Sequence, residues 1–406
     1  AWVNDLLWIQ DPTSPTTVPP EDDKRKAHRR DPRQTLEQLR KHLELLPDIG
    51  LNVLLPALRI ATGEAQVEFA RAHGLYTQFG SYAIALGPQK SATGMATLVG
   101  APQMGFSLPH IAAEVHLNGA GINARGMTFP GTPGVLIGTN ENLAWTFTSG
   151  IADFVDAFIL KLDPQNPERY WYKGTWRNLE KRTETIRVKG GDPVQLTVYR
   201  SVYGPVVAND PRNAVAVSIR LSYWDNELEA FKAYYGFLTA RTVEDFERAA
   251  SHIPASFNAF CATRTGDIAY FYCGRPPIRA EGVDPRLPVL GTGEYDWQGI
   301  MPFSEMPRVV NPKQGFIANW NNKPAVWWEN ADTPVWGMIF RVYRLNDLIR
   351  SKPRLTIDDV KAYIRDIGEY DEDAGKLLPI MLRVVKRNER AFNDELRAAI
   401  RLLEAW

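Results

Sequence analysis

FGSYAIALGPQKSATGMATLVGAPQ, residues 79–103, is the stretch from which the rest of the chain is read. Gly80-Ser81 opens an alternating apolar run, Tyr82 to Leu86. A Gly-rich turn follows from Gly87 to Gly94, then a second β-rich run from Met95 to Val99, then Gly100-Ala101-Pro102-Gln103. Period-2 alternation, a turn and a second run predict a β-hairpin. A serine at the head of a strand, behind a residue with no Cβ, is also where a self-cleaving precursor can expose a new N-terminus. The competing reading is that Ser81 merely starts a strand.

Outward from this hairpin the text stays β-rich to about Gly150, punctuated by Gly and Pro. Residues 183–200, TETIRVKGGDPVQLTVYR, predict a second hairpin turning at Gly190-Gly191-Asp192. Thr242 with Asp245 caps a helix over about 243–251, and Thr356 with Asp359 caps another. Residues 356–406 read as about three helices with a break near Gly368 to Asp371, and 274–340 as a long irregular Pro/Gly/Trp stretch. Upstream, DPTSPTTVPP is extended because its prolines forbid helix. Residues 21–33 form a charged, solvated linker. Leu36, Leu39, Leu43 and Leu46 predict a helix over 32–46 behind the Asp31-Pro32 cap, with a second helix near 64–73. Strands, then a loop-rich region, then helices argue for an α+β protein with mainly antiparallel sheets.

Composition bounds the function. The 406 residues carry 47 basic and 47 acidic side chains, a balance with no electrostatic footprint for nucleic acid. The basic cluster near residues 24–30 is cancelled by neighbouring acids. No apolar run approaches the ~18–20 residues of a membrane span. The first residues have neither an initiator Met nor a basic n-region, and both ends fall within apolar helical patterns. The chain is therefore expected to be part of a longer protein. With the turn at Thr265-Gly266-Asp267, Cys261 faces about position 270 and Cys273 about position 258. The two are not cross-strand partners and read as small buried strand residues.

Standard catalytic motifs are absent: no G-x-S-x-G elbow, no H-E-x-x-H, no P-loop and no dinucleotide fingerprint. His110, Glu114 and His116 have weak metal-ligand spacing. Six histidines leave few candidates for a Ser-His-Asp triad. An N-terminal serine needs none. Its α-amino group, with a pKa of about 7.7–8.0, carries a base on the same residue as the nucleophile. The base exists only once the Gly80-Ser81 bond is cut, so the intact chain is read as a zymogen.

GSYAIALGPQKSATG…GAPQ resembles the start of the catalytic β subunit of the penicillin acylases, members of the N-terminal-nucleophile (Ntn) hydrolase superfamily. The similarity continues through residues 116–158, 284–303, GFIANWNNKP (315–324) and WGMIFRVYRL (336–345). Residues 1–20 resemble the end of the family's α subunit, 21–80 a linker removed on maturation, and 81–406 the N-terminal part of the β subunit. The resemblance implies an αββα four-layer sandwich and hydrolysis of an amide joining an acyl group to an amine.

It assigns Ser81 as nucleophile, Asn321 and the backbone N–H of Ser149 as oxyanion donors, and Gln103 and Arg341 as residues holding the amine and its network. Acyl-pocket positions fall on Met104, Ile137, Phe147, Phe257 and, by a looser match, Tyr235. All are apolar or aromatic, which suits an apolar acyl group. Phenylacetyl-specific relatives have Phe at the first two positions and a small residue at Phe147, so this pocket is reshaped. A structural Ca²⁺ site is implied at Asp153, Val155 (carbonyl), Asp156, Pro285 (carbonyl) and Asp332, oxygen ligands that suit the ion. The resemblance also implies a periplasmic or secreted α/β heterodimer acting on a small N-acyl substrate. Alternatives are an acylase of the same fold that hydrolyses acyl-homoserine lactones or acyl-peptides, and a non-catalytic, calcium-stabilised binding protein. GAPQ where homoserine-lactone and peptide acylases usually show NDPH favours the penicillin G-type branch.

Overall fold

A computed structural model describes residues 14–23, 25, 40, 68, 72, 80–105, 108–283, 285, 287–328, 341–387 and 392–405. The helices expected over 32–46 and 64–73 lie outside the described residues save Arg40, Glu68 and Ala72. Asp332 lies outside them too.

In chain order the strands begin with β1 (Gly80–Leu86), β2 (Thr97–Gln103), β3 (Ala113–Gly119), β4 (Ile122–Thr128), β5 (Ile137–Thr139) and β6 (Leu143–Ser149). Seven more follow: β7 (Val155–Asp163), β8 (Asn166–Tyr172), β9 (Thr175–Asn178), β10 (Glu180–Ile186), β11 (Val194–Ser201), β12 (Gly204–Asp210) and β13 (Val215–Leu221). Helices α1 (Glu229–Thr239) and α2 (Val243–Ala250) precede β14 (Phe257–Thr263) and β15 (Ile268–Cys273). The stretch expected to be irregular holds β16 (Pro277–Ile278), β17 (Val289–Leu290), β18 (Gly299–Ile300), β19 (Arg308–Val310) and β20 (Phe316–Asn319). The chain then turns helical: α3 (Val342–Arg350), α4 (Ile357–Glu369), α5 (Glu372–Arg387) and α6 (Asp394–Ala405). The last three are the three helices predicted, broken at Tyr370-Asp371. Among the described residues no helix is long and apolar enough to cross a membrane.

Three sheets matter. A three-stranded sheet runs β2-β1-β20. A seven-stranded sheet runs β19-β15-β14-β6-β5-β4-β3. A third runs β10-β11-β12-β13-β7-β8-β9, with β17 beside β7. All pairs are antiparallel except β17 with β7. The mixed α+β, mainly antiparallel expectation therefore stands.

The opening hairpin is present, and longer than its composition suggests. β2 starts at Thr97 and continues through Gly100-Ala101-Pro102 to Gln103, which lies opposite Gly80 in the register. Pro102 is tolerated because β2 is a sheet edge, where a missing N–H leaves no ladder bond unmade. The cysteine hairpin is one residue tighter than expected: Cys261 faces Ala269 and Cys273 faces Phe257. Both thiols are free and buried, and burial pushes both above the usual thiol range.

Side-chain alternation along β1 decides what Ser81 faces. Tyr82, Ile84 and Leu86 pack with Val342, Leu345, Ile349, Val360 and Tyr363 of α3 and α4. Ala83 and Ala85 pack on the other side against Phe260, Tyr270 and Tyr272 of the seven-stranded sheet. The far face of that sheet, including Trp145, Cys261 and Phe271, closes on Phe237 and Phe246 of α1 and α2. Ser81 shares the parity of Ala83 and Ala85, so β1 aims it at the seven-stranded sheet.

Gly100 sets how closely the two sheets meet. A Cβ there would come within 2.0 Å of Thr146 Oγ1 on β6. Gly100→Ala is expected to push β2 off β6 and cost about 1–3 kcal/mol, the usual range for overpacking, read as a lowered urea midpoint with unchanged slope.

Candidate active site

Five residues from four separate places in the chain meet at the open end of β1. Ser81 is buried. Its N–H donates to Asn321 Oδ1 at 3.0 Å, and its Oγ lies 3.4 Å from Asn321 Nδ2. Asn321 follows β20 with φ of +59°, a conformation Asn tolerates better than most residues. Flanking bonds hold it there. Its own N–H reaches Asn319 Oδ1 at 2.9 Å, and the Trp320 N–H reaches Asn322 Oδ1 at 2.9 Å. Arg341, just before α3, donates from Nη2 to Asn321 Oδ1 at 2.9 Å, and its guanidinium lies 4.8 Å from the centre of the Trp320 ring. Burial lowers the Arg341 pKa to about 10, which leaves it a cation at neutral pH. Gln103 Oε1 accepts from Trp320 Nε1 at 3.0 Å. Gly80 lies among these groups: a Cβ there would stand 2.8 Å from both Arg341 Nη2 and Gln103 Oε1.

Ser149 ends β6. Its carbonyl accepts from Asn321 Nδ2 at 3.0 Å and from Asn258 Nδ2 at 2.9 Å. The Gly150 N–H bonds Ser256 O at 3.1 Å, so ladder bonds to the β14 side fall on even-numbered residues here. Antiparallel alternation then turns the Ser149 N–H to the opposite edge of β6, which at this end is not covered by β5.

A cavity of about 570 Å³ opens beside Ser81, and Ser81, Gln103, Ser149, Asn321 and Arg341 all border it. Of the expected acyl-pocket residues, Met104, Ile137, Phe147 and Phe257 line it. Phe147 packs edge-on to Phe257 at 6.0 Å and against Phe237 at 5.4 Å. Tyr235 does not line it: this residue is 63% exposed, and Tyr234 takes the place. The reason is helical phase. Phe237 and Leu238 are buried on α1, and the residue three and four positions before them on that face is Tyr234. Sequence reading also missed Met127, Leu136, Ile151 and Ile253, single apolar residues with no local signal for a pocket.

The residues expected to hold calcium are only partly gathered. Asp153 and Asp156 are buried, and each carboxylate pairs with Arg279, the latter at 2.8 Å. Asp153 Oδ1 also accepts the Val155 N–H at 3.2 Å, and Asp156 Oδ2 accepts Trp297 Nε1 at 2.6 Å. Val155 heads β7 opposite Leu221. Pro285 is described without a polar contact to these groups, and Asp332 lies outside the described residues. Two buried carboxylates are suitable oxygen donors for a hard dication. Among the described residues, Arg279 is a cation that faces both, so an ion would have to draw oxygens away from that pair. Among the described residues no group of three or more His, Cys, Asp or Glu could hold a metal. His116, the other weak candidate, sits on strand β3 and bonds Asn123 Oδ1 at 3.0 Å.

A buried serine heading a strand, ringed by Asn321, Arg341 and a strand-end peptide at the mouth of an apolar cavity, is an arrangement suited to acyl transfer. Comparison with known proteins gives the family. The penicillin amidase family model matches residues 20–406, and the chain belongs to that family. It is 29% identical to penicillin G acylase of Escherichia coli over 416 residues, covering 99% of this chain and 49% of that protein. It is 30% identical to acyl-homoserine lactone acylase QuiP of Pseudomonas fluorescens over 281 residues, covering 68% of this chain and 34% of that one. The structure of a thermostable penicillin G acylase from Alcaligenes faecalis superposes with a TM-score of 0.73 at 31% identity, covering 80% of this chain and 59% of that one. The chain thus spans about half the length of the E. coli relative.

Proposed function

We propose that the full protein is an amidohydrolase that cleaves an amide between an apolar acyl group and an amine, with Ser81 as an N-terminal nucleophile. The observation that carries this reading is the convergence of Ser81, Asn321, Ser149 and Arg341 at the mouth of the apolar cavity. In this reading residues 1–20 end an α subunit, 21–80 are a linker removed on maturation, and 81–406 begin the β subunit. In the same reading, the packing of helices on both sides of the two sheets around β1 supports the αββα sandwich that the Ntn resemblance implies. The mature molecule is a periplasmic or secreted heterodimer.

The chemistry follows from these residues. Cleavage of Gly80-Ser81 turns an amide nitrogen into an amine with a free pair. That amine takes the Oγ proton, directly or through one water, as Oγ attacks the substrate carbonyl. The carbonyl oxygen gathers charge, which Asn321 Nδ2 and the Ser149 N–H stabilise. The C–N bond breaks, the proton passes to the departing amine, and the acyl group stays on Oγ as an ester until water repeats the sequence. Asn321 Oδ1, which accepts the Ser81 N–H, also accepts from Arg341 and so orients the nucleophile's nitrogen. A bound Ca²⁺, held by Asp153 and Asp156 with the remaining expected ligands, would supply rigidity to the loop between β6 and β7 and no chemistry.

Mass spectrometry of the full-length protein tests the reading. A chain beginning Ser-Tyr-Ala-Ile, together with release of amine from a panel of N-acyl chromogenic substrates, is the expected result. An intact precursor without hydrolysis would overturn it. The panel should include phenylacetyl and longer aliphatic acyl groups. Phe147 reshapes the pocket, and relatives named for both penicillin G and acyl-homoserine lactones are similar to this chain.

The pH profile is a second test. The Arg341 cation shares Asn321 Oδ1 with the Ser81 nitrogen, and a nearby like charge disfavours the ammonium form. The amine therefore stays neutral, and active as a base, below its ordinary range. In the mature enzyme, Arg341→Met is expected to move the acid limb of kcat/KM upward, toward the unperturbed α-amino range of about 7.7–8.0. An acid limb that does not move would remove Arg341 from this role.

A further inference from the structure

Asn321 is backed by a buried polar network that leaves the β-subunit part of the chain and ends in the segment before the linker. Asn319 is its hub. Asn319 Oδ1 accepts the Asn321 N–H at 2.9 Å and the Thr148 hydroxyl at 2.6 Å, and its Nδ2 donates to Thr17 Oγ1 at 2.8 Å. Behind Thr148 the chain of bonds continues. Asn258 Nδ2 donates to Thr148 Oγ1 at 2.9 Å, and Tyr270 donates to Asn258 Oδ1 at 2.7 Å. Thr17, Thr148, Asn258, Tyr270 and Asn319 are all at most 1% exposed.

The direction of these bonds is forced. A backbone N–H can only donate, so the oxygen of the Asn319 amide must face Asn321. The amide nitrogen must then face Thr17, whose hydroxyl is the acceptor that satisfies it. Thr17 is itself fixed by main-chain bonds beside the site. Its N–H reaches Lys323 O at 2.9 Å, the Val18 N–H reaches Pro324 O at 2.9 Å, and Asn322 Nδ2 reaches Pro15 O at 3.0 Å. Val18 is buried with Ala83 and Ala85 of β1. Further along, the Lys313 N–H donates to Asp22 at 3.2 Å, and Trp327 Nε1 donates to Asp23.

We infer that Thr17 is a positioning residue for the reaction: through Asn319 it holds the left-handed backbone of Asn321, and with it the amide that serves the oxyanion. The inference rests on the proposed amidohydrolase reading. It adds that the segment from Pro15 to Val18 is a working part of the site even though, in that reading, maturation severs it from Ser81. Without the Thr17 hydroxyl, a buried N–H2 group has no partner. The Asn319 amide then gains from turning away, and Asn321 loses the acceptor that fixes its N–H.

The test uses the full-length protein carrying Thr17→Val, which keeps shape and removes the hydroxyl, and Thr17→Ser, which restores it. Each is processed, checked by mass spectrometry and melted, and its steady-state kinetics are read on the best chromogenic N-acyl substrate. The expected result for Thr17→Val is a kcat about tenfold lower, the rate equivalent of one lost hydrogen bond, with KM within about twofold. Thr17→Ser returns kcat to near the wild-type value. In an Asn321→Gly background the Thr17→Val effect disappears, because the group it positions is gone. Should the valine variant not accumulate, Thr17→Ala gives the same split. A Thr17→Val enzyme with wild-type kcat, a change in KM alone, or a full tenfold loss persisting in the Asn321→Gly background overturns this inference alone. A wild-type protein that is never cut and hydrolyses nothing overturns both this inference and the function on which it rests.

Discussion

Ser81→Ala is expected to leave the full-length protein as a single uncut chain that releases no amine from any N-acyl substrate. The loss in kcat is at least about 10⁴-fold, the scale seen when a covalent nucleophile is removed. Little else should change. The Ser81 N–H to Asn321 Oδ1 bond at 3.0 Å is main-chain and survives the substitution. The hydroxyl's contact with Asn321 Nδ2, at 3.4 Å, is long for a hydrogen bond. Alanine fits a strand position whose neighbours of the same parity, Ala83 and Ala85, are already alanines. The melting temperature should therefore stay close to that of uncut wild-type precursor. Ser81→Cys is the informative companion, since it offers a stronger nucleophile in nearly the same place. A Ser81→Ala chain that still yields a fragment starting at residue 81 would place the cleaving nucleophile elsewhere.

Much of this arrangement was legible in the sequence, and the exceptions have physical reasons. The hairpins at β1-β2 and β10-β11 declare themselves because one strand alternates and a Gly-rich turn separates the runs. Helices α2 and α4 are announced by complete capping boxes at Thr242 and Thr356. By contrast, α1 and α3 start at Leu228 and Arg341 with no side-chain cap, so nothing local marks their beginnings. The extent of β2 was hidden by Gly100 and Pro102. Both suit a turn by composition, yet here one permits close sheet contact and the other sits on an edge. The looser family match points to Tyr235, whereas Tyr234 lines the cavity, because the phase of α1 depends on which residues its partners bury. At the site itself, resemblance located the five residues from Ser81 to Arg341. The polar network behind Asn321 carries no motif. Thr17, Asn258 and Asn319 are ordinary polar residues until folding buries them together.

Asn321 should be the second most sensitive position. Replacing it with alanine in the mature enzyme is expected to lower kcat about 100- to 1000-fold, the usual effect of losing one oxyanion donor, with a much smaller change in KM. Two contributions must be separated, because Asn321 has φ of +59° and alanine is disfavoured there. Asn321→Gly keeps the backbone at no steric cost and removes the amide, so a loss as large as that of alanine assigns the effect to the donor. Asn321→Asp keeps the shape and the two acceptor contacts from Ser81 N and Arg341, but replaces Nδ2 with an oxygen. Aspartate should be at least as damaging as glycine, since a negative charge, even paired with Arg341, opposes the charge that develops on the substrate. In the uncut chain Asn321 Nδ2 already bonds the Ser149 carbonyl at 3.0 Å. Productive turnover thus requires that amide to share or exchange one carbonyl for another. Its rigid backing, rather than a vacant donor, is then what keeps the cost of exchange low. If glycine and aspartate both retain kcat near wild type, the oxyanion is held by other groups and Asn321 is structural.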